Sequence, residues 1–177
     1  MMNLLARIIA FFRGAKAVSE SAPQAAPPAD PWPPSDPATV LAATAWMEAR
    51  SVGKDGMQAV MSVVLNRARS GITWWGHDIV SVCLKRFQFS SWNLGSTQIP
   101  LVKAAMNYGD PQWEIARNLA TLAVQGILPD NTLCSDDYFD VSIEAPGYDK
   151  PENFTVAIGT LRFYRDYLKA PEMGAIA

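Results

Sequence analysis

Histidine and cysteine are scarce in this chain of 177 residues: His77 stands alone, and Cys83 and Cys134 are the only thiols. A zinc enzyme draws on three or four clustered His, Cys, Asp or Glu ligands. No such cluster is apparent, so neither a metal site nor metal-dependent amidase or peptidase chemistry is expected. Two cysteines about 50 residues apart make neither a redox pair nor a disulfide framework, though a single bridge stays open. Charge is sparse too. Charged residues are 18% of the chain, and 15 Lys and Arg against 17 Asp and Glu leave a net charge of −2. A nucleic-acid partner is not expected, because there is no global positive field to attract one. Apolar runs fall well short of the roughly 20 residues that span a bilayer.

What is present is a 49% hydrophobic content over a length that suits one domain with a real core. Residues 1–17 read as an amphipathic N-terminal segment: on a helical wheel Leu4, Leu5, Ile8, Ile9, Phe11 and Phe12 share one face. Arg7 splits its apolar run and no positive side chain precedes it, which is a poor match to a secretion signal despite Ala15-Lys16-Ala17. Such a helix suits peripheral contact with a membrane or a partner, or folding back onto the protein's own core. Residues 18–35 read as a proline-rich linker; with Pro37 they hold seven of the 13 prolines.

From Asp36 to about residue 170 the pattern is that of one mostly α domain with a minor β element, followed by a tail at 171–177. Asp36 is a good N-cap with Pro37 at the first helical position. Lys54-Asp55-Gly56 opens a second helix that Ser70-Gly71 closes. Asp78 caps a short one, Pro100 starts another, and Asp110-Pro111 begins a strong one ended by Gly126. Leu128 to Thr155 reads as a long irregular excursion. DDYFDVSI and TLRFY are the only stretches with strand character.

Residues 38–47, ATVLAATAWM, are apolar or small throughout, the mark of a buried helix. Glu48 follows in the last turn. Loss of water and the negative end of the helix dipole both disfavour its charge, which predicts a carboxyl that holds its proton near neutral pH. A protonated acid in an apolar cleft is the group that delivers a proton to a glycosidic oxygen. The plainer reading is an ion pair of Glu48 with Arg50, Arg67 or Arg69, and periodicity alone does not choose between them.

The run from Thr44 to Arg69, TAWMEARSVGKDGMQAVMSVVLNRAR, resembles the signature of the SleB-type cell wall hydrolases, the spore-cortex-lytic family also found among phage endolysins. The matching elements are Glu48-Ala49-Arg50, Gly56, Gln58-Ala59-Val60 and Val63-Val64-Leu65-Asn66-Arg67. Phe87-Gln88-Phe89-Ser90, Trp92-Asn93, Ile158-Gly159 and Phe163-Tyr164 follow in the family's order. The resemblance implies a lysozyme-like or lytic-transglycosylase-like domain acting on peptidoglycan glycan strands as a monomer and without cofactor. Glu48 would be its catalytic acid, cutting between N-acetylmuramic acid and N-acetylglucosamine. The implied setting is the bacterial cell wall, in the periplasm. The chain would reach it by export or by release from the cytoplasm during phage lysis, and the poor secretion signal leans toward a phage-type lysin.

Three positions depart from the family pattern. Ser51-Val52 replaces a glycine-glutamate pair, Asp136-Asp137-Tyr138-Phe139 keeps only the tyrosine of a Thr-His-Tyr-His segment, and Leu161 replaces a histidine. The extra acids Asp136, Asp137 and Asp140 are candidates for a second carboxylate that activates water, against the plainer reading of a solvated turn. Gln88, Phe89, Ser90, Tyr138 and Asn66 are the candidate substrate-binding residues, with Trp74, Trp75, Phe87 and Trp92 as candidate sugar platforms or core. Arg67 is expected to hold backbone carbonyls. Two other functions stay open: a Cys/His amidase or peptidase using His77 with Cys83 or Cys134, and a non-catalytic glycan-binding module.

Overall fold

The computed structural model describes residues 32–168, which form one mostly α domain with a small sheet. The segments 1–17 and 171–177, and most of the proline-rich stretch, lie outside the described residues. Trp32, at the edge of that stretch, packs against Trp92 with ring centroids 5.5 Å apart, and the Lys103 ammonium sits 4.6 Å from its ring.

Helix α1 (Pro37–Ala49) starts where its cap dictates: the Asp36 carboxylate accepts from the Thr39 N–H at 2.8 Å. Every residue from Val40 to Met47 is buried, and so is Ala49. A helix apolar on all sides has to be surrounded, and α1 packs against α2 (Lys54–Arg69), α3 (Ile79–Leu84), α4 (Gln98–Tyr108) and α5 (Pro111–Val124). Asp78 caps α3 through the Ser81 N–H at 2.7 Å, and Asp110 caps α5 through the Trp113 N–H at 2.8 Å. Helix α4 begins at Gln98, two residues before Pro100, because proline is tolerated in the first turn, where its missing N–H has no partner to lose.

Strands β1 (Asp137–Asp140), β2 (Phe154–Ile158) and β3 (Leu161–Tyr164) form an antiparallel sheet in the order β1-β3-β2. Strand β2 was not expected: its first two residues belong to the stretch read as irregular. Pairing with β3 makes it a strand, closed by a tight turn at Gly159 (φ +57°). That turn lies against Val52. A side chain on Gly159 would come within 2.6 Å of Val52 Cγ1, and one on Gly56 would meet the same atom at 2.6 Å. Leu161 and Phe163 carry the buried face of β3 into the helical core.

The excursion before β1 is irregular but pinned. Gln58 donates to the Pro129 carbonyl at 2.8 Å, and Asn66 donates to Asp130 at 3.1 Å and to the Ser135 carbonyl at 2.9 Å. Burial alone would raise the Asp130 carboxyl, but hydrogen bonds from Thr132, Asn66 and Cys134 hold it below the ordinary range.

Asp110 does two jobs with one oxygen, capping α5 and accepting the indole N–H of Trp46 at 3.1 Å. Asp110→Ala should therefore lower stability by about 1–2 kcal/mol in urea unfolding, whereas a surface acid of α5 such as Glu114 should cost well under half that.

Candidate active site

Glu48 lies half-buried in the last turn of α1, on the wall of a cavity of about 610 Å³ between the helices and the sheet. Its Oε2 accepts the Tyr138 hydroxyl at 3.1 Å. Tyr138 comes from β1 and stacks on Phe163 at 5.5 Å, so the core of the sheet fixes its ring. Burial pushes the Tyr138 phenol well above its ordinary value, and the nearby Glu48 carboxylate raises it further. The tyrosine is thus a permanent donor. Glu48 pairs with none of the three arginines considered for it among the described residues.

Arg67, on α2, is buried and uses its fork on the opposite wall. Nε donates to the Asp136 carbonyl at 2.6 Å, Nη1 to Gln88 Oε1 at 2.8 Å, and Nη2 to Asp137 Oδ1 at 2.7 Å. The rings of Trp75 and Phe89 lie 5.5 and 5.8 Å from the guanidinium. The expected carbonyl partner is therefore real, but it belongs to the strand β1 entry and not to α1. Arg50 takes the α1 carbonyls, Met47 at 3.3 Å among them.

Asp137 lines the cavity. Its carboxyl is raised from 3.8 to about 6, chiefly by burial, with Arg67 opposing and Asp136 and Asp166 adding to the rise. Asp140 also lines it, but hydrogen bonds from Thr160 and Ser142 hold its carboxyl below the ordinary range. Asp136 cannot be a second catalytic carboxylate. It is fully buried, and its two oxygens accept the backbone N–H groups of Asp166, Tyr167 and Leu168 at 2.6–2.9 Å. It lies just before β1, turned onto the backbone that follows β3.

Two candidate binding residues are also reassigned. Phe89 is 2% exposed and belongs to the core, and Phe87, beside it, lines the cavity instead. The cause is the turn at Lys85–Gln88, where Phe87 takes the left-handed conformation (φ +69°) and projects its ring outward. Asn66 is spent on the 130–135 loop and lies outside the cavity lining. Gln88 and Ser90 do line it. Trp74 and Tyr167, each more than half exposed, meet edge to face at 5.6 Å at its rim, with Trp75 buried behind them. Trp92 is partly buried and packs against the core, its indole N–H donating to the Thr44 hydroxyl at 2.9 Å.

Sequence reasoning missed Tyr148 and Tyr167. Tyr148 lines the cavity and donates to the Tyr138 carbonyl at 2.8 Å, bracing β1. Both sit in irregular chain with no periodic pattern to flag them. The thiols lie elsewhere. Cys83 is sealed in the core, where burial pushes it up to about 12, and Cys134 is in the pinned loop; both are free. His77 is exposed, and none of the three lines the cavity.

A family model described as Cell Wall Hydrolase matches residues 51–164, well over half of the chain and every element from α2 to β3. Glu48 lies just ahead of the matched span. No curated protein and no solved structure matches the chain. With the matched span building the sheet and all but one of the helices among the described residues, the chain belongs to the cell wall hydrolase family, the SleB-type family that its motifs resemble.

Proposed function

We propose that this chain cuts peptidoglycan glycan strands between N-acetylmuramic acid and N-acetylglucosamine, with Glu48 as the acid/base group of a lysozyme-like site. The observation that carries the reading is the Glu48 carboxyl itself. It stands in an aromatic-walled cleft with Oε2 held by Tyr138, which leaves Oε1 to exchange a proton with substrate. In the acid role it protonates the bridging oxygen as the bond to the muramoyl C1 breaks and the electron pair leaves with that oxygen. As a carboxylate it then takes the proton of the muramoyl C6 hydroxyl, whose oxygen closes on C1. That sequence consumes no water and ends in a 1,6-anhydro sugar.

A second outcome has one specific observation behind it. Asp137 lines the same cavity, and its carboxyl changes charge near pH 6. If it activates water, the product carries a reducing end. Its commitment to Arg67 at 2.7 Å favours the one-carboxyl route.

Glu48→Gln keeps the shape and the Tyr138 contact but cannot donate the proton, so release of soluble fragments from sacculi should fall about 10²–10⁴-fold. Full activity in that variant removes the mechanism. Mass spectrometry of the parent digest separates the outcomes: anhydro-muropeptides for the one-carboxyl route, reducing ends for water. Tyr138→Phe loses a single hydrogen bond and should slow turnover roughly 2–10-fold with KM little changed. For Asp137 the folded value lies above the ordinary 3.8, so its contribution to stability is full below about 4 and is lost as pH rises through about 6. Urea unfolding of the parent relative to Asp137→Asn should thus decline from pH 4 to 7 and then level. A difference that grows with pH would contradict the assignment.

A further inference from the structure

A groove of about 520 Å³ lies between the end of α1, helix α4 and the start of α5, and it shares no lining residue with the cleft. Trp46 and Arg50 line it one helical turn apart. Glu48 is two residues from each, so it projects from the other side of α1. The floor is small and apolar, formed by Ala104 and Ala105 of α4. Leu101, Ala104 and Tyr108 follow at spacings of three and four residues, which makes them one stripe of α4. All three are exposed, Tyr108 by 86%.

Arg50 supplies the charge. Its Nη1 donates to Gln98 Oε1 at 2.7 Å and to the Met47 carbonyl at 3.3 Å, and the guanidinium lies 4.2 Å over the Trp46 ring. These contacts fix the plane of the group while engaging a single nitrogen. Nε and Nη2 have no hydrogen-bond partner among the described residues, and no carboxylate there forms an ion pair with Arg50. The Nε–Nη2 edge of a guanidinium takes a carboxylate through two parallel bonds. Asp110 also lines the groove, but it is engaged. Its Oδ1 accepts the Trp46 indole N–H at 3.1 Å and the Trp113 N–H at 2.8 Å, and the N-terminal dipole of α5 offsets its charge.

We infer that this groove holds the carboxylate end of a peptidoglycan stem peptide, with Arg50 on the carboxylate and the alanine floor against the peptide's small side chains. The inference rests on the wall-cleaving reading in taking peptidoglycan as the substrate, and not on the chemistry assigned to Glu48. Stem peptides are acidic and rich in alanine methyls, which matches the charge and the size that the groove offers. The site is an anchor. A stem held on the far side of α1 keeps the chain on the wall and raises the local concentration of strands at the cleft.

The test titrates the full chain carrying Glu48→Gln with a sugar-free stem tetrapeptide that ends in D-alanine. Backbone amides of Leu101, Ala104 and Tyr108 should shift while those of Tyr138 and Tyr148 stay silent. No shift on α4, or shifts at Tyr138 and Tyr148 alone, overturns the anchor. The same peptide amidated at its terminal carboxylate should bind about tenfold more weakly, the loss of a bidentate charged contact. Equal affinity of the two peptides overturns the assignment. Arg50 also holds the end of α1, so the groove is probed through exposed Ala104 instead. Ala104→Glu and Ala104→Gln differ in charge and hardly in shape. The first should bind about fivefold more weakly than the second, with the gap closing at about 0.5 M salt. Equal affinity of the two variants overturns the charge match and the proposal with it. If the peptide binds as described but the chain with Glu48 intact leaves sacculi uncut, the cleavage reading falls and the anchor stands. Cut sacculi with silent α4 amides give the reverse.

Discussion

Arg67 is the constraint on which the cleft depends. Its guanidinium joins three segments that are far apart in sequence: α2, the turn carrying Gln88, and the entry to β1. A planar fork with donors in fixed directions can do this, whereas a lysine ammonium cannot set three bearings at once. Burying the charge is costly, and a buried pair with Asp137 adds little net stability over an apolar packing of the same volume. What the pair supplies is position. Holding Asp137 and the Asp136 carbonyl fixes the start of β1, and the next residue is Tyr138, which then meets Glu48. The two walls are therefore coupled through the strand, although Arg67 and Glu48 share no hydrogen bond.

Much of the helical frame was legible because its signals are local. Asp36, Asp78 and Asp110 each cap the helix that follows within three residues, and the uniform apolar character of 38–47 required a surrounded helix. The sheet was half legible. Tyr138 to Asp140 and Leu161 to Tyr164 have strand composition, but Phe154–Ile158 owes its state to β3 and to a turn that closes on Val52. Such a pairing lives in the tertiary structure, not in a window of residues.

The site divides along the same line. Glu48 stood out because a charge at the end of an apolar run is a local anomaly. Asp136 and Asp137 are adjacent and chemically alike, and only the tertiary structure, which brings the 166–168 backbone onto Asp136 and Arg67 onto Asp137, assigns one to three backbone amides and the other to the cleft. Phe87 and Phe89 were exchanged by a single left-handed residue. Asn66 and Gln58 look like ordinary surface residues of α2 until the 129–135 loop comes to rest on them.

The departures from the family pattern bear on how many carboxyls can work in the cleft. At the two positions where the resemblance leads one to expect a glutamate and a histidine, Val52 packs into the space left by Gly56 and Gly159, and Leu161 is buried in the sheet. Both side chains serve packing and neither titrates. The acids that remain on the cleft are unequal. Asp140 is tied to Thr160 and Ser142, and Asp137 is tied to Arg67. Glu48 alone among them is held by one neutral donor on one oxygen. A group that must release and recover a proton within each turnover needs an uncommitted oxygen facing substrate and a partner that does not compete for charge. Of the cleft carboxyls only Glu48 meets both conditions, which is the physical support for the proposal that it carries the chemistry.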